Sequence, residues 1–68
     1  MYLDNSEIIS NLVKKVIEIS GESTKELDRI CWMVVHEHHH GVMPSEYDIR
    51  EIDEDLYLAL LKRVKELN

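Results

Sequence analysis

Five consecutive residues, His36-Glu37-His38-His39-His40, hold most of the chemistry this chain can offer. They fit the pattern H-E-x-x-H. On a helix, His36 and His40 stand four apart on one face, so both imidazoles can reach one ion. In zinc proteases that pair binds Zn²⁺ and the glutamate activates the metal-bound water, which here would make Glu37 the general base. The pattern ends there. No histidine follows at the spacing of a further ligand, and Glu46, Asp48, Glu51 and Glu54 supply carboxylates without a spacing that singles one out. No strand is predicted that could hold an extended peptide. The reading is therefore non-enzymatic. A structural Zn²⁺ on His36 and His40 is an alternative, and a polar helix end whose charged imidazoles favour the C-terminal dipole is the simpler account. A third consequence is pH response. Four protonated imidazoles would move the formal charge from −6 toward about −2. Acidification would then draw the cluster toward the acid-rich start of a third helix.

Other reactive residues are fewer. Serines, histidines and aspartates are present, but there is no nucleophile elbow and no glycine-rich phosphate loop. Cys31, the only cysteine, falls on an apolar helical stripe and reads as a small core residue. Trp32, Met33, Tyr47 and Tyr57 fit the apolar stripes poorly. Tryptophan and tyrosine are preferred interface anchors and methionine adapts to irregular surfaces, so these four are the candidate partner-binding residues. Trp32 can equally cap a small core.

The elements that must position these groups are helices. Ile8, Ile9, Leu12, Val13, Val16, Ile17 and Ile19 recur every three to four residues behind Asp4, Asn5 and Ser6, any of which can cap. Gly21 supplies the left-handed stop. Ser23-Thr24-Lys25-Glu26 reads as a capping box that opens the second helix. Leu27, Ile30, Cys31, Val34, Val35 and His38 form its stripe, and Gly41 ends it. Pro44, Ser45 and Asp48 begin a third element whose Ile49, Ile52, Leu56, Leu60, Leu61, Val64 and Leu67 keep helical spacing. That helix runs unbroken from Ser45, or a short turn precedes a main helix capped by Asp53. The expected fold is all-α, with helices at about 5–20, 23–40 and 45–67 in one small domain spanning 1–68. They would form a three-helix bundle or a helical-hairpin arrangement with short loops at 20–22 and 41–43. Leu27, Ile30, Val34, Leu56, Leu60 and Val64 are the candidate core.

Size and charge limit the function classes. A core built from 68 residues supplies only about 3–5 kcal/mol, so a partner chain, a metal or very regular helices must add to it. One cysteine excludes an intrachain disulfide and suits a reducing, cytoplasmic setting. No apolar run approaches the roughly 18 residues of a membrane span, and the first residues lack a signal-peptide pattern. Fourteen acids against eight bases argue against nucleic acid as a partner. The basic clusters Lys14-Lys15 and Lys62-Arg63 with Lys65 sit late in helices, where they complement the dipole.

The stretch from Cys31-Trp32 through His38-His39-His40-Gly41, Pro44-Ser45-Glu46 and Asp53-Glu54-Asp55-Leu56 to Leu60-Leu61 resembles small tail- and baseplate-assembly proteins of bacteriophages. It covers residues 31–68, and Tyr47 departs from the aliphatic residue expected after Pro-Ser-Glu. The resemblance implies a non-enzymatic assembly factor that binds other tail proteins. The expectation from all these features is a cytoplasmic, self-associating helical module that binds another protein and requires no cofactor. The alternatives are a histidine Zn²⁺ site and an acidic mimic of nucleic acid that blocks a basic partner.

Overall fold

A computed structural model describes residues 5–21, 23, 25–45, 49 and 53–67. Helix α1 (Asn5–Ser20) forms where the first apolar stripe predicts it. Leu12, Val13 and Val16 are buried, and Ile8 and Ile9 pack half-buried beside them. The stripe then runs past the core: Ile17 and Ile19 remain 47% and 41% exposed. Gly21 closes the helix at φ 61°, donating its N–H to the Ile17 carbonyl at 2.9 Å.

Helix α2 (Leu27–His40) starts four residues later than the expected capping box. The Ser23 hydroxyl accepts from the Lys25 N–H, two residues on, at 3.2 Å rather than capping a helix. Glu26 itself takes the left-handed conformation, φ 61° and ψ 24°, and makes no side-chain cap. The local pattern is thus overridden by the backbone reversal that brings Leu27, Ile30 and Cys31 onto the core. At the far end, Gly41 at φ 77° donates to the Glu37 carbonyl at 2.7 Å.

Helix α3 (Glu54–Glu66) does not begin at Ser45. Ser45, Ile49 and Asp53 are all non-helical, and the rest of residues 46–52 lies outside the described residues. Asp53 is the N-cap, its carboxylate accepting the Leu56 N–H at 3.0 Å. The connection from α2 therefore spans residues 41–53, longer than the expected loop, and turns Pro44 inward to a buried position.

Each helix packs on both others, which makes the fold an all-α three-helix bundle. No strand occurs among the described residues. The core joins Leu12, Val13 and Val16 of α1 to Cys31, Val34 and Val35 of α2 and Leu60 and Val64 of α3. Leu27, Ile30 and Leu56, expected inside, are half-buried at its margin. Fully burying one such aliphatic side chain contributes about 1.5–3 kcal/mol. Burial also pushes the Cys31 thiol up to about 11, with Asp28 raising it further and Lys65 opposing. At neutral pH it is therefore a protonated core group and a poor nucleophile. No helix among the described residues is long and apolar enough to cross a membrane.

Candidate functional site

The two polar helix ends meet at one place. The histidine run closes α2, and the acidic turn of Asp53, Glu54 and Asp55 opens α3. His39 Nε2 lies 2.7 Å from Asp53 Oδ2. The other oxygen of the same carboxylate holds the Leu56 amide, so one side chain both caps α3 and ties it to α2. These contacts hold the Asp53 carboxyl below its usual range: first the backbone N–H of Leu56, then the hydrogen bond to His39, with the fields of His39 and His38 adding to both against partial burial. The structure thus sets one imidazole of the run against the acid-rich start of α3.

Beside this pair lies a cleft of about 280 Å³ to which all three helices contribute. Ile8 and Ile9 of α1 and Leu56 and Ala59 of α3 supply apolar walls, while His38, His39, Asp53 and Asp55 form a polar rim. The rim carries both an imidazole pair and carboxylates. Asp55 is exposed and has no ion pair among the described residues. Of the cleft residues, the sequence marks Ile8, Ile9 and Leu56 as apolar stripe positions, Asp53 as a cap, and His38 and His39 as members of the run, but not that they share a site. The signal available for that was positional: α2's last turn and α3's first turn must be neighbours once both helices share a core.

The expected metal pair is placed differently. His36 and His40 do stack on one face of α2, ring centroids 4.4 Å apart and planes tilted 34°. Neither lines the cleft. The Nδ1 atom of His36 is buried without a hydrogen-bond partner among the described residues. A ring that ligates through Nε2 carries its proton on Nδ1, and here that proton would have no acceptor, at a cost of about 1–3 kcal/mol. Among the described residues, no three His, Cys, Asp or Glu side chains converge where a metal could sit. Glu46, Asp48 and Glu51 lie outside those residues, and Glu54 is exposed on α3. Glu37, the general base of the pattern, instead forms an ion pair with Lys15 of α1 at 3.5 Å.

Two of the expected partner-binding residues turn toward each other. Trp32 of α2 and Tyr57 of α3 stack face to face, centroids 4.1 Å apart and planes 7° from parallel. Both are half-buried, and Tyr57 packs against the core. Met33 is half-buried on α2, and Tyr47 lies outside the described residues. The aromatic surplus of the sequence is therefore partly absorbed as a clamp between α2 and α3.

Residues 7–68 match a family model described as a domain of unknown function, DUF8662. The chain belongs to that family. The match takes in all of α2 and α3 and nearly all of α1, so the cleft and the His39–Asp53 pair both lie within the DUF8662 domain. Comparison with curated proteins gave no match, and comparison with solved structures gave none.

Proposed function

We propose that this chain is a non-enzymatic helical module that binds another protein and also associates with itself. The observation that carries the reading is the three-helix cleft, with Ile8, Ile9, Leu56 and Ala59 as walls and His38, His39, Asp53 and Asp55 as rim. An apolar recess with a few convergent polar groups is the usual form of a recognition site. Its volume admits a short apolar segment of a partner, and Asp55 beside it, which has no ion pair among the described residues, suits an adjacent lysine or arginine. The net charge of −6 steers such a basic partner toward the surface. The resemblance of residues 31–68 to phage tail- and baseplate-assembly proteins would make the role one of assembly.

Selection of peptides from a displayed random library on the purified chain tests this reading. Enriched sequences should pair an aliphatic residue with a basic one and bind measurably in calorimetry. Ala59→Trp fills the recess and should remove that binding while leaving helicity intact. Peptides that bind Ala59→Trp as well as they bind the natural chain would place recognition elsewhere.

A further inference from the structure

Self-association needs a surface, and α3 presents one with a two-fold pattern. Leu58 is 51% exposed at the middle of its outer face. Glu54 stands four residues before it and Lys62 four residues after, both exposed. Residues four apart lie on one helix face about 6 Å apart along the axis. The outer stripe of α3 therefore reads acid, leucine, base, with the leucine at its centre. Neither Glu54 nor Lys62 has an ion pair among the described residues. Leu61, half-buried, adds apolar surface at the edge of the stripe.

A stripe whose charge inverts about a central apolar residue is complementary to itself when two copies run antiparallel. Leu58 then meets Leu58 of a second copy at the two-fold axis. Glu54 faces the second copy's Lys62, and Lys62 faces its Glu54. Such an isologous contact forms both ion pairs from one patch and closes at two subunits. Parallel pairing about the same leucine would oppose like charges at both ends, so the charges also select direction.

We propose that the Glu54-Leu58-Lys62 face of α3 is a homodimer interface, with a second copy of this chain as its occupant. The inference rests on the reading of the chain as a self-associating module and names the surface it uses. That surface borders the cleft, since Asp55 and Ala59 of the cleft stand three residues before Leu58 and Lys62 on α3. A single helix pair is a small interface, so the dimer is weak and its charge pairs are salt-sensitive.

Sedimentation velocity on the full chain, from about 10 µM to about 1 mM at low salt, tests the proposal. The natural chain should shift from monomer to dimer over that range. Glu54→Lys or Lys62→Glu alone sets like charges opposite each other twice per dimer, and each should raise the dissociation constant about tenfold or more. The double swap Glu54→Lys with Lys62→Glu restores opposite charges and should recover the natural constant to within about threefold. Leu58→Glu, at an exposed site, should leave helicity unchanged and abolish the dimer. Circular dichroism accompanies each variant, because a lysine in the first turn of α3 opposes the helix dipole. A dimer that ignores Glu54→Lys, Lys62→Glu and Leu58→Glu overturns the α3 interface while leaving self-association in place. A chain that stays monomeric throughout overturns self-association as well, and peptide binding at the cleft then stands or falls separately.

Discussion

Helices α2 and α3 are joined at two places by different physics. Along their interior, Cys31, Val34 and Val35 share one core with Leu60 and Val64, and Trp32 stacks on Tyr57. At the mouth, the end of α2 meets the start of α3 through the His39–Asp53 pair and the rim of the cleft. The interior excludes water, so every methylene there contributes to stability. The mouth is more exposed, and a surface contact such as His39–Asp53 is worth at most about 1 kcal/mol. The bundle therefore stands on one seam and presents its chemistry at the other. Substitutions at the mouth should change its polar surface at little cost in stability, whereas substitutions in the interior act on stability directly.

The sharpest way to break that contrast is Leu60→Ala. Leu60 is fully buried, and deleting such a side chain costs about 2–5 kcal/mol. A core of this size supplies about 3–5 kcal/mol in total. The variant should therefore be largely unfolded at 25 °C, read by far-ultraviolet circular dichroism. A cooperative transition close to that of the natural chain would mean that stability resides elsewhere. The Cys31 thiol gives an independent readout: protected when folded, it should react with a thiol reagent at a rate that follows the unfolded fraction.

The aromatic clamp ranks next. Trp32→Ala and Tyr57→Ala should each destabilise the fold by about 2 kcal/mol, below the full value for a buried aromatic because both rings are half-buried. The double variant should cost less than the sum, with a coupling of about 0.5–1.5 kcal/mol in chemical denaturation. Additive losses would show that the two rings act through separate neighbours. If Trp32→Ala instead removed association and left stability unchanged, Trp32 would belong to a partner surface.

How much of this contrast was legible in the sequence differs between the seams. The interior was mostly readable, since Val34, Leu60 and Val64 fall on 3.6-residue stripes and packing follows that period. Its errors are at the margins. Ile17 and Ile19 continue the pattern of α1 but outrun the core, because periodicity marks a face and not what covers it. The Trp32–Tyr57 stack was invisible as a pair, since the two residues sit on different helices and only tertiary packing brings them together. Helix ends are less readable, because they depend on competition between caps. Ser23-Thr24-Lys25-Glu26 matches a capping box, yet the serine satisfies a nearer amide. Ser45 and Asp48 resemble a cap too, but Asp53 is the one that holds α3. The histidine run was legible as unusual. Its working contact, His39 with Asp53, depends on where those caps fall.

A smaller effect is expected at Asp53. Asp53→Ala removes the cap and the partner of His39 together and should cost about 1 kcal/mol. Asp53→Asn keeps an oxygen for the Leu56 amide and should cost less. The pH dependence separates the two roles. The folded state lowers the Asp53 pKa, so it favours the ionised carboxylate. That contribution is complete above the unfolded value of about 3.9 and disappears as pH falls through the lower folded value. The stability difference between the natural chain and Asp53→Asn, followed by denaturation from pH 6 downward, should therefore shrink only in the acid range below about pH 4. A difference that is constant with pH would mean that the carboxylate charge adds nothing and the cap alone acts.

The smallest prediction reverses sign and sits at the other end of α2. Glu26 holds a left-handed backbone at φ 61°, a conformation that costs an L-residue with a full side chain about 1–2 kcal/mol. What it gains in return is slight, an exposed contact of 3.4 Å to Arg29. Asparagine tolerates this region better than glutamate, and unlike glycine it adds little freedom to the unfolded chain. Glu26→Asn should therefore stabilise the bundle by about 0.5 kcal/mol, seen as a small rise in the denaturation midpoint with an unchanged slope. Glu26→Gly relieves the same strain but gains unfolded-state entropy, so it should fall between the two. If both substitutions destabilise, the Arg29 contact outweighs the strain, and the entry to α2 is held by a polar side-chain contact as its exit is. The bundle would then have a polar contact at both ends of α2 and a dry seam only between them.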